Sequence, residues 1–171
     1  MERQNVIVTA KRILTSLILT SGLIAIMALP AMADAPGWRI TRLTNNDLYD
    51  DSPMISGSNV VWDQNWERVL FYNGATTIQL TDSGGEQQIS GSNIAWVGFD
   101  GSKTEVYFYN ILTGITTQVT NNNYEECLLR ISGTNAAWSG GVDYGVFFYN
   151  GSTGITTKLA SDAGDQQISG S

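Results

Sequence analysis

Beyond residue 33, apolar and polar positions alternate in short runs of four to six residues, punctuated by Gly, Asn, Ser and Thr. Alternation with a period of two puts one face of each run inward and the other outward, which predicts β-strands. Four kinds of run recur in fixed order. Run A reads PMIS, QQIS or LRIS; run B reads VVW, IAW or AAW; run C reads RVLFYN, EVYFYN or GVFFYN; run D reads TTIQLT, TTQVT or TTKLA. No long window places apolar residues at helical spacing, and Thr, Ile, Val, Tyr and Trp are abundant, so helical repeats are excluded.

Between runs A and B stands GSN or GTN, led by Gly57, Gly91 and Gly133. Gly and Asn tolerate the positive φ of a tight hairpin, so this tripeptide predicts the A–B turn. Run B ends on Trp62, Trp96 and Trp138, and a large ring recurring once per copy is expected to fill the space between neighbouring sheets. Of the Phe-Tyr pairs in run C, one ring should face each side of the sheet.

Ile55, Ile89, Ile131 and Ile168 mark the phase, with spacings of 34, 42 and 37 residues. Four antiparallel strands in a unit of that length describe a β-propeller blade. The predicted fold is therefore an all-β propeller of four-stranded blades, incomplete in this chain. Three whole blades occupy residues 51–85, 86–124 and 125–164; an isolated D strand lies in 38–46 and the start of a further blade, an A strand, in 165–171. Propellers close with about four to eight blades. The expectation is thus a truncated propeller that needs the rest of a longer ring, or other copies of itself.

The composite pattern iSG-x-N-x-x-W … v-x-f-YN-x-x-T-G-x-T-x-x-l-T resembles the TolB-like six-bladed propeller repeats of periplasmic and cell-surface proteins. The resemblance spans essentially all of residues 38–171 and identifies the type of repeat. The periplasmic protein that typifies the family also has an N-terminal α/β domain absent here, so its role in envelope integrity is not implied. The WD40 signature is missing its Gly-His, and Trp62-Asp63 closes run B instead of run C.

Residues 1–33 have a different character. Arg3, Lys11 and Arg12 precede an apolar run over residues 13–30, followed by AMA at 31–33. That is the layout of a signal peptide cleaved before Asp34, which predicts export to the periplasm, cell surface or medium with no membrane span afterwards.

Export narrows the chemistry. Cys127 is the sole cysteine, so no intramolecular disulfide holds the domain, and with no His in the chain nothing activates that thiol. His-based catalysis and His metal ligands are excluded. From residue 34 onward six basic residues face fifteen acidic ones, a net charge of −9, which repels nucleic acid and anionic lipid and suits cations or basic partners.

The acids are unevenly placed. In a blade, the D-to-A and B-to-C connections emerge on one face. Asp50, Asp51, Asp82, Glu86, Glu125, Glu126, Asp162 and Asp165 fall in D-to-A segments, and Asp63, Asp100 and Asp143 in B-to-C segments, whereas the A-to-B and C-to-D turns carry no charge. One strongly acidic face results, and these eleven residues are the candidate binding site. Calcium suits carboxylate ligands, but no D-x-[DN]-x-[DN]-G loop is present, so no metal and no cofactor are assigned. Asn150-Gly151-Ser152 fits a glycosylation acceptor in an exposed turn.

Repeating units imply repeated structural roles, whereas a catalytic residue should break the repeat. Where the copies differ, at NNNYEECLLR and DQNWERV, no catalytic set is found, and the chain is read as a non-enzyme. The expected function is an exported interaction module binding a protein or an envelope polymer through the acidic face. The alternatives are a structural segment of a surface-layer or cell-surface protein, and a remnant without independent function.

Overall fold

The computed structural model describes residue 37 and residues 39–162. Residues 1–36, 38 and 163–171 lie outside, and with them the predicted signal peptide, the final A strand and Asp165. No helix occurs among the described residues. Twelve strands form three four-stranded antiparallel sheets, each a meander in which sequential strands are neighbours. The first sheet holds β1 (Asp50–Ser56), β2 (Asn59–Gln64), β3 (Arg68–Tyr72) and β4 (Thr77–Thr81). The second holds β5 (Gly84–Ser90), β6 (Asn93–Phe99), β7 (Thr104–Asn110) and β8 (Ile115–Gln118). The third holds β9 (Cys127–Ser132), β10 (Asn135–Gly140), β11 (Gly145–Asn150) and β12 (Ile155–Ala160). Each sheet is one propeller blade, running A, B, C, D in chain order.

Alternation along the strands builds two core layers. From the first blade Val61, Val69 and Phe71 meet Ile94 and Trp96 of the second. The opposite face of the second blade offers Ala95, Val97, Val106 and Phe108 to Leu129, Ala136 and Trp138 of the third. The rings interlock in a repeating way: Phe71 packs on Tyr109 and Phe108 on Tyr149, each across a blade boundary, at 6.2 and 5.9 Å between centroids. Trp96 and Trp138 lie flat on their cross-strand partners Tyr107 and Phe147. Strand β6, covered on both faces, is buried through residue 98, whereas the outer strands β8 and β12 are exposed throughout.

Each A–B turn is a two-residue hairpin. Gly57, Gly91 and Gly133 take φ of 61°, 57° and 57°, while the following Ser or Thr stays at negative φ, the type II′ pattern. Asn59, Asn93 and Asn135 do not share the positive φ expected of the turn; each is already the first residue of strand B.

Two further features depart from the sequence reading. Residues 39–46 form no strand, although their sequence matches run D. A strand persists only where its backbone groups find a ladder partner, and none of the described strands pairs with this segment. The A strands also carry a shared irregularity. Ser52, Glu86 and Leu128, each three residues before the phase-marking Ile, sit at φ of 49°, 49° and 54°, and the A–B register shifts there in every blade. These are bulges, which bend the strand and re-aim the side chains beside them.

Candidate functional site

Backbone hydrogen bonds bring the D-to-A and B-to-C connections together. Gly84 N–H donates to the Glu67 carbonyl at 2.6 Å, Phe99 N–H to Ser83 at 3.0 Å, Glu126 N–H to Thr104 at 3.3 Å and Asp162 N–H to Asp143 at 3.2 Å. The opposite end is closed by uncharged Asx turns, in which Asn73, Asn110 and Asn150 each accept two or more backbone N–H groups through Oδ1.

Of the candidate acids expected in connections, Asp50, Asp51, Asp63 and Glu86 lie instead within strands β1, β2 and β5, because those strands extend past the repeated run. The described acids occupy three environments. Asp82, Glu86, Asp100, Glu125, Asp162 and Asp50 are exposed, Asp51 and Asp143 half-buried, Asp63 and Glu126 buried. Several are already engaged. Glu125 forms an ion pair with Lys103 at 2.9 Å and Asp143 with Lys158 at 2.7 Å. The Thr104 hydroxyl and then the Lys103 ammonium, both hydrogen-bonded to Glu125, hold its carboxyl down at about 2. Lys158 likewise holds Asp143 below the ordinary range, and the Lys103 and Ser102 backbone amides do so for Asp100. At Asp50 burial acts upward, but hydrogen bonds from Thr44, Gln64 and the Trp62 indole together outweigh it and the carboxyl is lowered.

Glu126 is the exception. It is 3% exposed, and burial pushes its carboxyl up to about 7, with a further upward push from the neighbouring Glu105. Asn122 bridges the two acids: its backbone N–H donates to Glu105 Oε1 at 2.8 Å and its amide to Glu126 Oε1 at 2.7 Å. Asn122 and the Trp138 indole pull the Glu126 carboxyl the other way, and burial outweighs them. Glu126 thus belongs to the packing beneath the face. Cys127, beside it, is half-buried, and burial followed by the nearby Glu86 and Glu126 pushes its thiol upward.

Two grooves open among these residues. One, of about 430 Å³, is walled by Trp66 and Phe99 and by Glu67, Asp82, Glu86 and Glu126. The other, of about 650 Å³, crosses β1, β5 and β9 and shares Trp66 and Glu86 with the first. Trp66 is 69% exposed and Phe99 53% exposed, with Tyr49 packed against Trp66 at 5.2 Å. Aromatic faces beside carboxylates suit organic cations and basic side chains. Among the described residues, no three His, Cys, Asp or Glu side chains converge to hold a metal ion.

Sequence reasoning did not single out Trp66, Phe99 or Gln87; Glu105, expected at the rim of the acidic face where run C begins, is instead fully buried. A signal was present for Trp66, which lies in DQNWERV, one of the stretches where the copies differ. The same signal was absent for Gln87, which stands inside a repeated run.

No known family model matches the chain, and no characterised protein matches it in sequence. Among solved structures, the tricorn protease is similar over 67% of this chain and 13% of its own, at 12% identity and a TM-score of 0.48. The N-terminal domain of Nup159 is similar over 64% of this chain and 29% of its own, at 10% identity and a TM-score of 0.44. The chain therefore spans only a minor part of either structure.

Proposed function

We propose that this chain is an exported, non-catalytic propeller module of the TolB-like type that binds a basic protein segment, or a basic envelope polymer, through its acidic loop face. The observation that carries this reading is the asymmetry of the two ends. One end gathers Glu67, Asp82, Glu86 and Asp100 around exposed Trp66 and Phe99, and the other is built of uncharged Gly, Ser, Thr and Asn turns. Such a face attracts a cationic partner from a distance and offers it apolar surface on arrival. Neither a metal nor a cofactor is required for that role. The signal-like leader and the propeller resemblance support a site of action in the periplasm or at the cell surface.

The test is calorimetric titration of the full chain with a lysine-rich peptide and, in parallel, a glutamate-rich peptide of equal length. Binding of the first alone is expected. Glu67→Lys and Asp82→Lys should each weaken it several-fold, whereas Ser152→Lys, placing a charge on the opposite end, should not. Equal binding of both peptides, or of neither, would refute the reading.

A further inference from the structure

Beneath the larger groove lie two buried oxygens with no hydrogen-bond donor, Asp63 Oδ1 and Gln87 Oε1. Asp63 is 4% exposed and Gln87 2%. Gln87 is fixed in place: its amide nitrogen donates to the Ser52 carbonyl at 2.8 Å and lies 3.5 Å from Asp63 Oδ2. With the nitrogen so committed, Gln87 Oε1 is left as an acceptor without a donor, on a side chain whose nitrogen reaches the other oxygen of the Asp63 carboxylate. A buried acceptor without a donor is costly, more so when charged, and such groups are rare in folded proteins.

The bulges and the adjoining turn set up this arrangement. Gln87 follows the left-handed Glu86, and the carbonyl it uses belongs to Ser52, the bulge residue of the preceding blade. Asn65 and Trp66, in the turn that follows Asp63, also lie at φ of 57° and 55°. Left-handed backbone is uncommon for a bulky residue, and such strain collects where a side chain has to be held in a particular place. It leaves the Trp66 ring exposed at the rim of the groove, with Glu86 alongside. The basic residue that lines the groove, Arg130, donates from Nη1 to the Leu129 carbonyl at 2.8 Å.

We propose that this groove receives a lysine or arginine side chain of a basic polypeptide, with Asp63 Oδ1 and Gln87 Oε1 accepting from its cationic head and Trp66 and Glu86 flanking its stem. The proposal rests on the acidic-face reading above and names the subsite at which that face recognises its partner. An organic cation fits better than a metal ion. It brings N–H donors for two acceptors of which just one is charged, and it gains from an aromatic face, whereas a divalent ion wants several carboxylates at once.

The experiment titrates the full chain and two variants with lysine-rich and arginine-rich peptides, with calcium chloride as a separate titrant. Asp63→Asn keeps the shape but removes the charge, and should weaken peptide binding at least tenfold while leaving the melting temperature unchanged or higher. Trp66→Ala alters an exposed ring and should weaken binding three- to tenfold. If the wild type binds peptide and both variants bind it equally well, the subsite is wrong and the acidic-face reading survives. If the wild type binds no peptide, both fall. Loss of binding in Asp63→Asn accompanied by a lowered melting temperature, with Trp66→Ala unaffected, would show a structural role and overturn the proposal. So would calcium binding that Asp63→Asn abolishes while peptide binding persists.

Discussion

The backbone N–H of Gly133 donates to the Ser90 hydroxyl across a blade boundary at 2.8 Å, and Gly91 N–H meets Ser56 in the same way at 2.9 Å. This pair of bonds gives a physical reason for the recurrence of Ile-Ser-Gly. The Ser of one copy accepts from the Gly of the next, so each phrase carries one half of two successive contacts. Ser132 holds the equivalent place in β9, and the glycine that would answer it, Gly170, lies outside the described residues.

Removing one such bond should be measurable but mild. Ser90→Ala is expected to cost about 0.5–1.5 kcal/mol, since the contact is solvent-exposed and water can replace the lost acceptor. Gly91→Ala should cost about 1–2 kcal/mol for a different reason: a Cβ there meets no atom, but the left-handed backbone disfavours it. Urea denaturation of the two single variants and the double variant checks both values.

The burial of Glu126 explains a glycine in β10. A Cβ on Gly140 would collide with the Glu126 carboxylate. Gly140→Ala should therefore destabilise the fold by about 1–3 kcal/mol, as overpacking does. Adding Glu126→Ala should cancel part of that loss, and a double-mutant cycle reads the coupling. Strict additivity would contradict the packing described here.

Glu126 also predicts a pH dependence. Its folded carboxyl titrates at about 7, above its ordinary 4.5, so the folded state holds the proton more tightly than the unfolded chain. The stabilisation from this group is complete below pH 4.5 and is lost as pH rises through 7, a change on the order of 1–3 kcal/mol. Glu125, held at about 2, acts in the opposite direction, with stability present above 4.5 and lost as pH falls toward 2, so the two windows do not overlap. Melting temperature should rise from pH 8 to pH 5 in the wild type, and Glu126→Gln should flatten that rise.

The Cys127 thiol offers a simple probe. Pushed upward by burial and half-covered, it holds less thiolate at pH 8 than an ordinary cysteine. Alkylation by iodoacetamide should be slower than for a free cysteine peptide and should accelerate to the peptide rate in urea.

The blade was legible because its signals are local and repeated. Trp96 and Trp138, the Phe-Tyr pairs and the turn glycines recur at fixed spacing, and period-two alternation assigns each to a face. What was not legible depends on neighbours that local sequence does not display. Ser52, Glu86 and Leu128 share a backbone conformation but no side-chain chemistry, so no residue type announces the bulge. Residues 39–46 resemble run D yet form no strand, because pairing is set by what lies alongside. The acids could be sorted to one face by topology, but not into exposed and buried. Asp63 and Glu126 differ from Asp82 and Asp100 only in what packs over them.

Association kinetics with the lysine-rich peptide test the central claim most directly. If the acidic face captures a cationic partner, the association rate should fall at least tenfold between about 50 and 500 mM salt, while dissociation changes much less. An association rate indifferent to salt would contradict the account, since it would mean that the charge gathered on this face does not guide the partner to it.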